Sequence, residues 1–135
     1  MSGRTASIFM SMSLFLLVGC AQRLEVHDFT SAQVSVQPAD DDAPGRTLTG
    51  TQLAAVTHWI QARNNWSGMS ADIPEHPTLQ FQLQDSSGMS DKVSVYEHED
   101  GTATVYLYQG HRIAPMRSHV SASELAELTS AINQP

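Results

Sequence analysis

From Thr78 to Gln84 the chain reads Thr-Leu-Gln-Phe-Gln-Leu-Gln, an unbroken alternation with the two-residue period of a β-strand. Leu79, Phe81 and Leu83 then face a core, and the glutamines face away. A strand with one apolar edge needs neighbours, and the chain supplies them at once. Lys92 to His98 and Thr102 to Tyr108 are β-rich runs separated by Glu99-Asp100-Gly101, a strong hairpin signal. A two-residue turn of Asp100-Gly101 would put Val93, Val95 and Tyr106 on one face and strand Val105 and Leu107 on the other. A three-residue turn with Gly101 in the left-handed conformation gathers Val93, Val95, Ala103, Val105 and Leu107 on one face. The second register is expected.

Two helices flank these strands, and each is announced by the same grammar. Thr49 and Gln52 have capping-box spacing, with Leu48 and Leu53 at the staple positions and Leu53, Val56 and Ile60 forming a stripe that ends near Arg63. Ser121 and Glu124 repeat the box, Val120 and Leu125 the staple, and Leu125, Leu128 and Ile132 the stripe. Consecutive antiparallel strands between two one-sided helices define an α+β class. The expectation is a small two-layer domain: an antiparallel sheet of three or four strands with two helices packed on one face, spanning 48–135.

Upstream, Pro38 to Gly45 carries two prolines, a glycine and Asp40-Asp41-Asp42, which reads as a loop. Residues 20–47 are therefore expected to be a flexible tether, in which the alternation at 33–37 allows one short edge strand. Extended, such a tether would reach several nanometres at ~3.3 Å per residue.

The extreme N-terminus differs from the rest. Arg4 precedes an apolar stretch from Ala6 to Val18, too short to span a bilayer, which takes ~20 residues. That length suits a signal-peptide core. The stretch ends in Leu17-Val18-Gly19-Cys20, which resembles the lipobox of bacterial lipoproteins. Gly19 would let a protease approach the backbone closely, and Cys20 holds the chain's single thiol. The resemblance implies a signal peptide at 1–19, cleavage between Gly19 and Cys20, and a diacylglyceryl thioether with N-acylation on Cys20, with no other cofactor. Two acyl chains suffice for a stable membrane anchor. No aspartate follows Cys20, so in a host with two membranes the resemblance implies an outer-membrane lipoprotein facing the periplasm.

Charge narrows the partners. Seven Lys and Arg stand against 14 Asp and Glu, for a formal charge of −7. Such a chain is repelled by phosphate backbones, so nucleic-acid binding is not expected, whereas a basic protein partner in the periplasm would be steered toward it. The lone cysteine rules out an internal disulfide.

Catalytic motifs are sparse. The six histidines lack the spacing of zinc sites, and the acidic run at 40–42 lacks the glycine and glutamate of a calcium loop. His98 among Glu97, Glu99 and Asp100 reads as a charged hairpin end that discourages edge pairing. No nucleophile elbow occurs, and neither an enzyme nor a metal site is expected. What remains is the outer face of the hairpin. Tyr96, Tyr106 and Tyr108, joined by Gln80 and Gln82, form a flat aromatic-polar patch suited to protein recognition. The same tyrosines would also serve as cross-strand stabilisers, and the tether would be able to pack over them. Trp66, Met69 and Met116 either extend such a rim or, for Trp66, cap the core. The expected role is a membrane-anchored, non-enzymatic binding module of inhibitor, immunity or assembly-accessory type. A structural or cell-wall-associated lipoprotein and a small hydrolase are the alternatives.

Overall fold

A computed structural model describes residues 24–38, 45–68 and 72–135. The expected signal peptide at 1–19, Cys20, the acidic run at 40–42 and Met69 lie outside these residues. Eight elements follow in order: β1 (Ser31–Val36), β2 (Arg46–Thr47), α1 (Gly50–Gln61), β3 (Leu79–Gln84), β4 (Ser90–Glu97), β5 (Ala103–Tyr108), β6 (Met116–Val120) and α2 (Ala122–Ile132). The chain is α+β, and the strands form one antiparallel sheet of six, ordered β2-β1-β3-β4-β5-β6.

The strand count corrects the expected three or four. Strand β6 escapes the apolar alternation because Ser118, at a core-facing position, is polar; Arg63 donates to its hydroxyl at 2.8 Å and makes that burial tolerable. Strand β2 is two residues long and carries no readable period.

Within the segment expected as a tether, the described residues 24–38 and 45–47 join the folded domain. Leu24, Phe29, Ala32 and Val34 are all buried in the core, and β1 pairs with β3 along its whole length from Ser31↔Gln84 to Val36↔Leu79. Strand β1 is thus an interior strand bordered by β2. Among the described residues the packed fold includes Leu24, well before 48.

The hairpin has the three-residue turn that sorts its faces. Val93 pairs with Leu107, Val95 with Val105 and Glu97 with Ala103, and the His98 N–H donates to Thr102 O at 2.8 Å. Gly101 closes the turn at φ +86°, where a side chain is strained. Gly101→Ala should cost about 1 kcal/mol, read as a lower urea midpoint at unchanged m-value. A Cβ there meets only Ala122 at an ordinary 3.7 Å, so the loss reports backbone strain and not a clash.

Both capping boxes form. Thr49 accepts from Gln52 N at 3.3 Å while Gln52 Oε1 accepts from Thr49 N at 2.9 Å; Ser121 and Glu124 do the same at 3.2 and 3.1 Å. Gln52, at the start of α1, donates to Ile132 O at the end of α2. Trp59, late in α1, donates to Glu124 O at the start of α2. The helices therefore lie antiparallel and cover one face of the sheet. Between the layers Val56, Ile60, Leu125 and Leu128 meet Phe81, Leu83, Val93, Val95, Val105 and Leu107.

Each border of the sheet is closed in its own way. Strand β2 is too short to offer a run of unpaired backbone. On the other side Ser67 and Arg117 exchange two backbone hydrogen bonds at 2.8 and 3.0 Å, and Arg63 and Asn65 both donate to His119 O.

Candidate binding face

The face opposite the helices follows from the pairing register. One row runs Thr47, Gln33, Gln82, Lys92, Tyr108; the next runs Ser35, Gln80, Ser94, Tyr106, Arg117; a third holds Tyr96, Thr104 and His119. All five residues expected to form the patch, Gln80, Gln82, Tyr96, Tyr106 and Tyr108, do share this face.

They are not equally accessible, and the picture of a flat exposed patch is corrected. Gln80 is 2% exposed, Tyr106 4% and Tyr96 8%. For Tyr106 part of the cover comes from the described chain before β3. It leaves the helix layer, pairs with β6 at Ser67, and reaches β3 at Thr78, whose N–H donates to Val95 O at 2.7 Å. Tyr106 Oη donates to Asp72 O at 3.5 Å, which places the chain at Asp72 over the outer face. Beneath it Tyr96 and Tyr106 meet edge to face, ring centroids 5.5 Å apart at 84°. Such a pair contributes about 0.5–1.5 kcal/mol beyond burial. These two rings serve the fold.

What stays open is the half of the face toward β1 and β2. Gln33, Thr47 and Gln82 are exposed, and Tyr108 is half-buried beneath the Lys92 ammonium, 4.5 Å from its ring centroid. Gln33 and Thr47 were missed as site residues because they belong to the stretch read as a tether.

At the opposite end of the same face lies a polar hollow of about 440 Å³, lined by Asn65, Ser67, Thr104, Tyr106, Arg117 and His119. Arg117 and His119 are exposed and sit two apart on β6. The alternation of Met116, Ser118 and Val120 was the signal that would have placed them.

The remaining candidates are structural. Trp66 is completely buried and Met116 is 3% exposed, so neither forms a rim. The hairpin end builds turns: Asp100 accepts from Thr102 N and Oγ1 at 3.0 and 2.6 Å, and His98 Nε2 bonds Thr104 Oγ1 at 2.8 Å. The Thr102 hydroxyl and N–H hold the Asp100 carboxyl below its ordinary value. Asp85 does the same work between β3 and β4, held low by the Ser87 hydroxyl and the Ser87 and Met89 N–H groups. Among the described residues no group of three or more acidic, histidine or cysteine side chains converges to hold a metal, and no helix is long and apolar enough to cross a membrane.

Arg63 is the most engaged side chain of the molecule's polar set. Only 3% exposed, it pairs with Glu124 at 2.7 Å, donates to Ser118, Asn65 and His119 O, and lies 4.7 Å from the Trp59 ring centroid. It ties α1, α2 and β6 into one unit beside the polar hollow.

Fold and face together define a two-layer α+β domain with a half-covered polar sheet surface. No protein-family model, curated protein or solved structure matches the chain.

Proposed function

We propose that this protein is a non-enzymatic binding module, anchored to an envelope membrane through lipid on Cys20. The observation that carries the reading is the open half of the outer face. Gln33, Gln82 and Thr47 present a flat, uncharged surface on three paired strands. Rigid strands hold such a surface at little entropic cost on binding, which favours recognition of a protein. The anchor rests on the lipobox at 17–20, and the acidity of the chain favours a basic partner by steering. In a host with two membranes the site of action is the periplasmic side of the outer one.

Two measurements test this. Cys20→Ala should accumulate uncleaved precursor that takes up no lipid label; normal maturation of that variant overturns the anchor. A photo-crosslinking residue at Gln82 should capture one stoichiometric envelope protein that the same residue at Glu127, on α2, does not. With the crosslinker at 82, Gln33→Arg should abolish that capture without changing thermal stability, since Gln33 is the exposed cross-strand neighbour of Gln82. Equal capture from both positions, or capture unaffected by Gln33→Arg, removes this face as the binding surface.

A further inference from the structure

The position of Glu25 bears on how the domain meets a membrane. Gln109, just past β5, is buried and donates through Nε2 to Glu25 O at 3.0 Å. Glu25 is thereby fixed at one end of the sheet, the end that carries the β3–β4 turn and the β5–β6 loop. Only five residue steps separate it from Cys20, a span of at most about 17 Å when fully extended. A domain of this size is roughly 34 Å across. A lipid on Cys20 therefore cannot let the domain drift away or turn its far end to the bilayer.

The surface at this end is unusual for the molecule. Among the described residues the exposed large apolar side chains are Ile113 at 106%, Val36 at 66% and Met89 at 46%. Two of the three sit here. Ile113 projects from the β5–β6 loop, and Met89 lies in the β3–β4 turn. The two loops touch, since a Cβ on Gly110 would lie 3.3 Å from the Met89 terminal methyl. Residues 109–115 contain Arg112 and His111 and no acid, in a chain of net charge −7. Four carboxylates also lie near this end, Asp85 and Asp91 accepting hydrogen bonds in the turns and Glu25 and Asp28 on the N-terminal segment, so the loop's two bases are local and the apolar side chains carry the contact with lipid. An apolar tip flanked by bases fits the boundary between headgroups and acyl chains, and the rest of the acidic surface is repelled from anionic lipid.

We infer that the β5–β6 loop docks on the bilayer, with Ile113 and Met89 entering the headgroup region and Arg112 and His111 meeting anionic headgroups. The inference rests on the anchoring of Cys20 proposed above and adds an orientation to it: the sheet stands on this end, and the open glutamine face points sideways, parallel to the membrane plane. The domain does not float on a long leash.

The test uses the full acylated protein in phosphatidylethanolamine–phosphatidylglycerol vesicles. With the native thiol consumed by lipid, Ile113→Cys provides a unique site for an environment-sensitive fluorophore, and Val36→Cys provides the comparison at the opposite end. Both side chains are exposed, so neither change disturbs packing. The label at 113 should shift to shorter wavelength and be quenched by nitroxide-bearing lipid, while the label at 36 should behave as in water. Equal, water-like behaviour at both sites in protein whose mass includes the lipid overturns the docking and leaves the anchor standing. Protein whose mass lacks the lipid overturns the anchor, and this inference falls with it.

Discussion

Replacing Glu124 by alanine is expected to cost about 3 kcal/mol or more of stability, measured by urea denaturation near neutral pH. The asymmetry of the ion pair sets this size. Glu124 is 42% exposed and Arg63 only 3%, so losing the carboxylate leaves a buried cation with neutral acceptors alone. Glu124 also accepts from Ser121 N at 3.1 Å, and that half of the capping box disappears with it. Glu124→Gln keeps a capping oxygen and a hydrogen bond for Arg63 but no charge, so it should lose clearly less than alanine. Equal losses in the two variants would mean that the charge carries the effect and the capping oxygen contributes little. Acidity offers a second reading of the same pair. Burial raises the Glu124 carboxyl, but the Ser121 N–H and hydroxyl and the Arg63 guanidinium outweigh it and hold the group below its ordinary 4.5. A carboxyl lowered on folding contributes stability that is complete above 4.5 and is lost as pH falls through the folded value. The acid limb of the stability curve should therefore flatten in Glu124→Gln relative to the parent.

Trp66→Ala should be at least as damaging, at about 3–5 kcal/mol, a large share of the roughly 5–15 kcal/mol that holds a domain of this size. Trp66 is completely buried, and its neighbour Ser67 pins the crossing segment to β6. Its indole N–H has no hydrogen-bond partner among the described residues. Trp66→Phe removes that unmet donor along with some ring area, and the two effects oppose each other, since an unmet buried donor costs about 1–3 kcal/mol. The phenylalanine variant should therefore stay close to the parent. In the alanine variant amide exchange should rise across 72–78 and beneath it at Tyr106, because the cover over the tyrosines loses its footing. A loss confined to global stability, with no local gain in exchange at 72–78, would show that Trp66 does not hold the crossing.

Particular residues explain which parts of this architecture can be read from sequence. The β4–β5 register is legible because a slip of one residue would put Val93 and Val95 on the face opposite Ala103, Val105 and Leu107, and because Gly101 accommodates the one left-handed turn that avoids the slip. The helix starts are legible because each capping box is a local contract between residues three apart. Strand β6 is not, since the reason Ser118 is allowed in the core is Arg63, 55 positions upstream. The position of β1 is equally hidden. Its Ala32 and Val34 alternate weakly, and what makes it an interior strand is pairing with β3 across about fifty residues of intervening chain. The candidate face divides the same way. The residues on it follow from alternation, but the burial of Tyr106 involves Asp72, in a stretch with no period to betray it.

The closed borders of the sheet carry a consequence for proteins held at high surface density. Confinement to a plane raises the local concentration of copies far above that in solution and aligns them, conditions under which bare strand margins zip into polymers. Here one margin is a two-residue strand and the other is already occupied by Ser67, Asn65 and Arg63. Neighbouring copies can thus crowd shoulder to shoulder without finding main-chain groups to join.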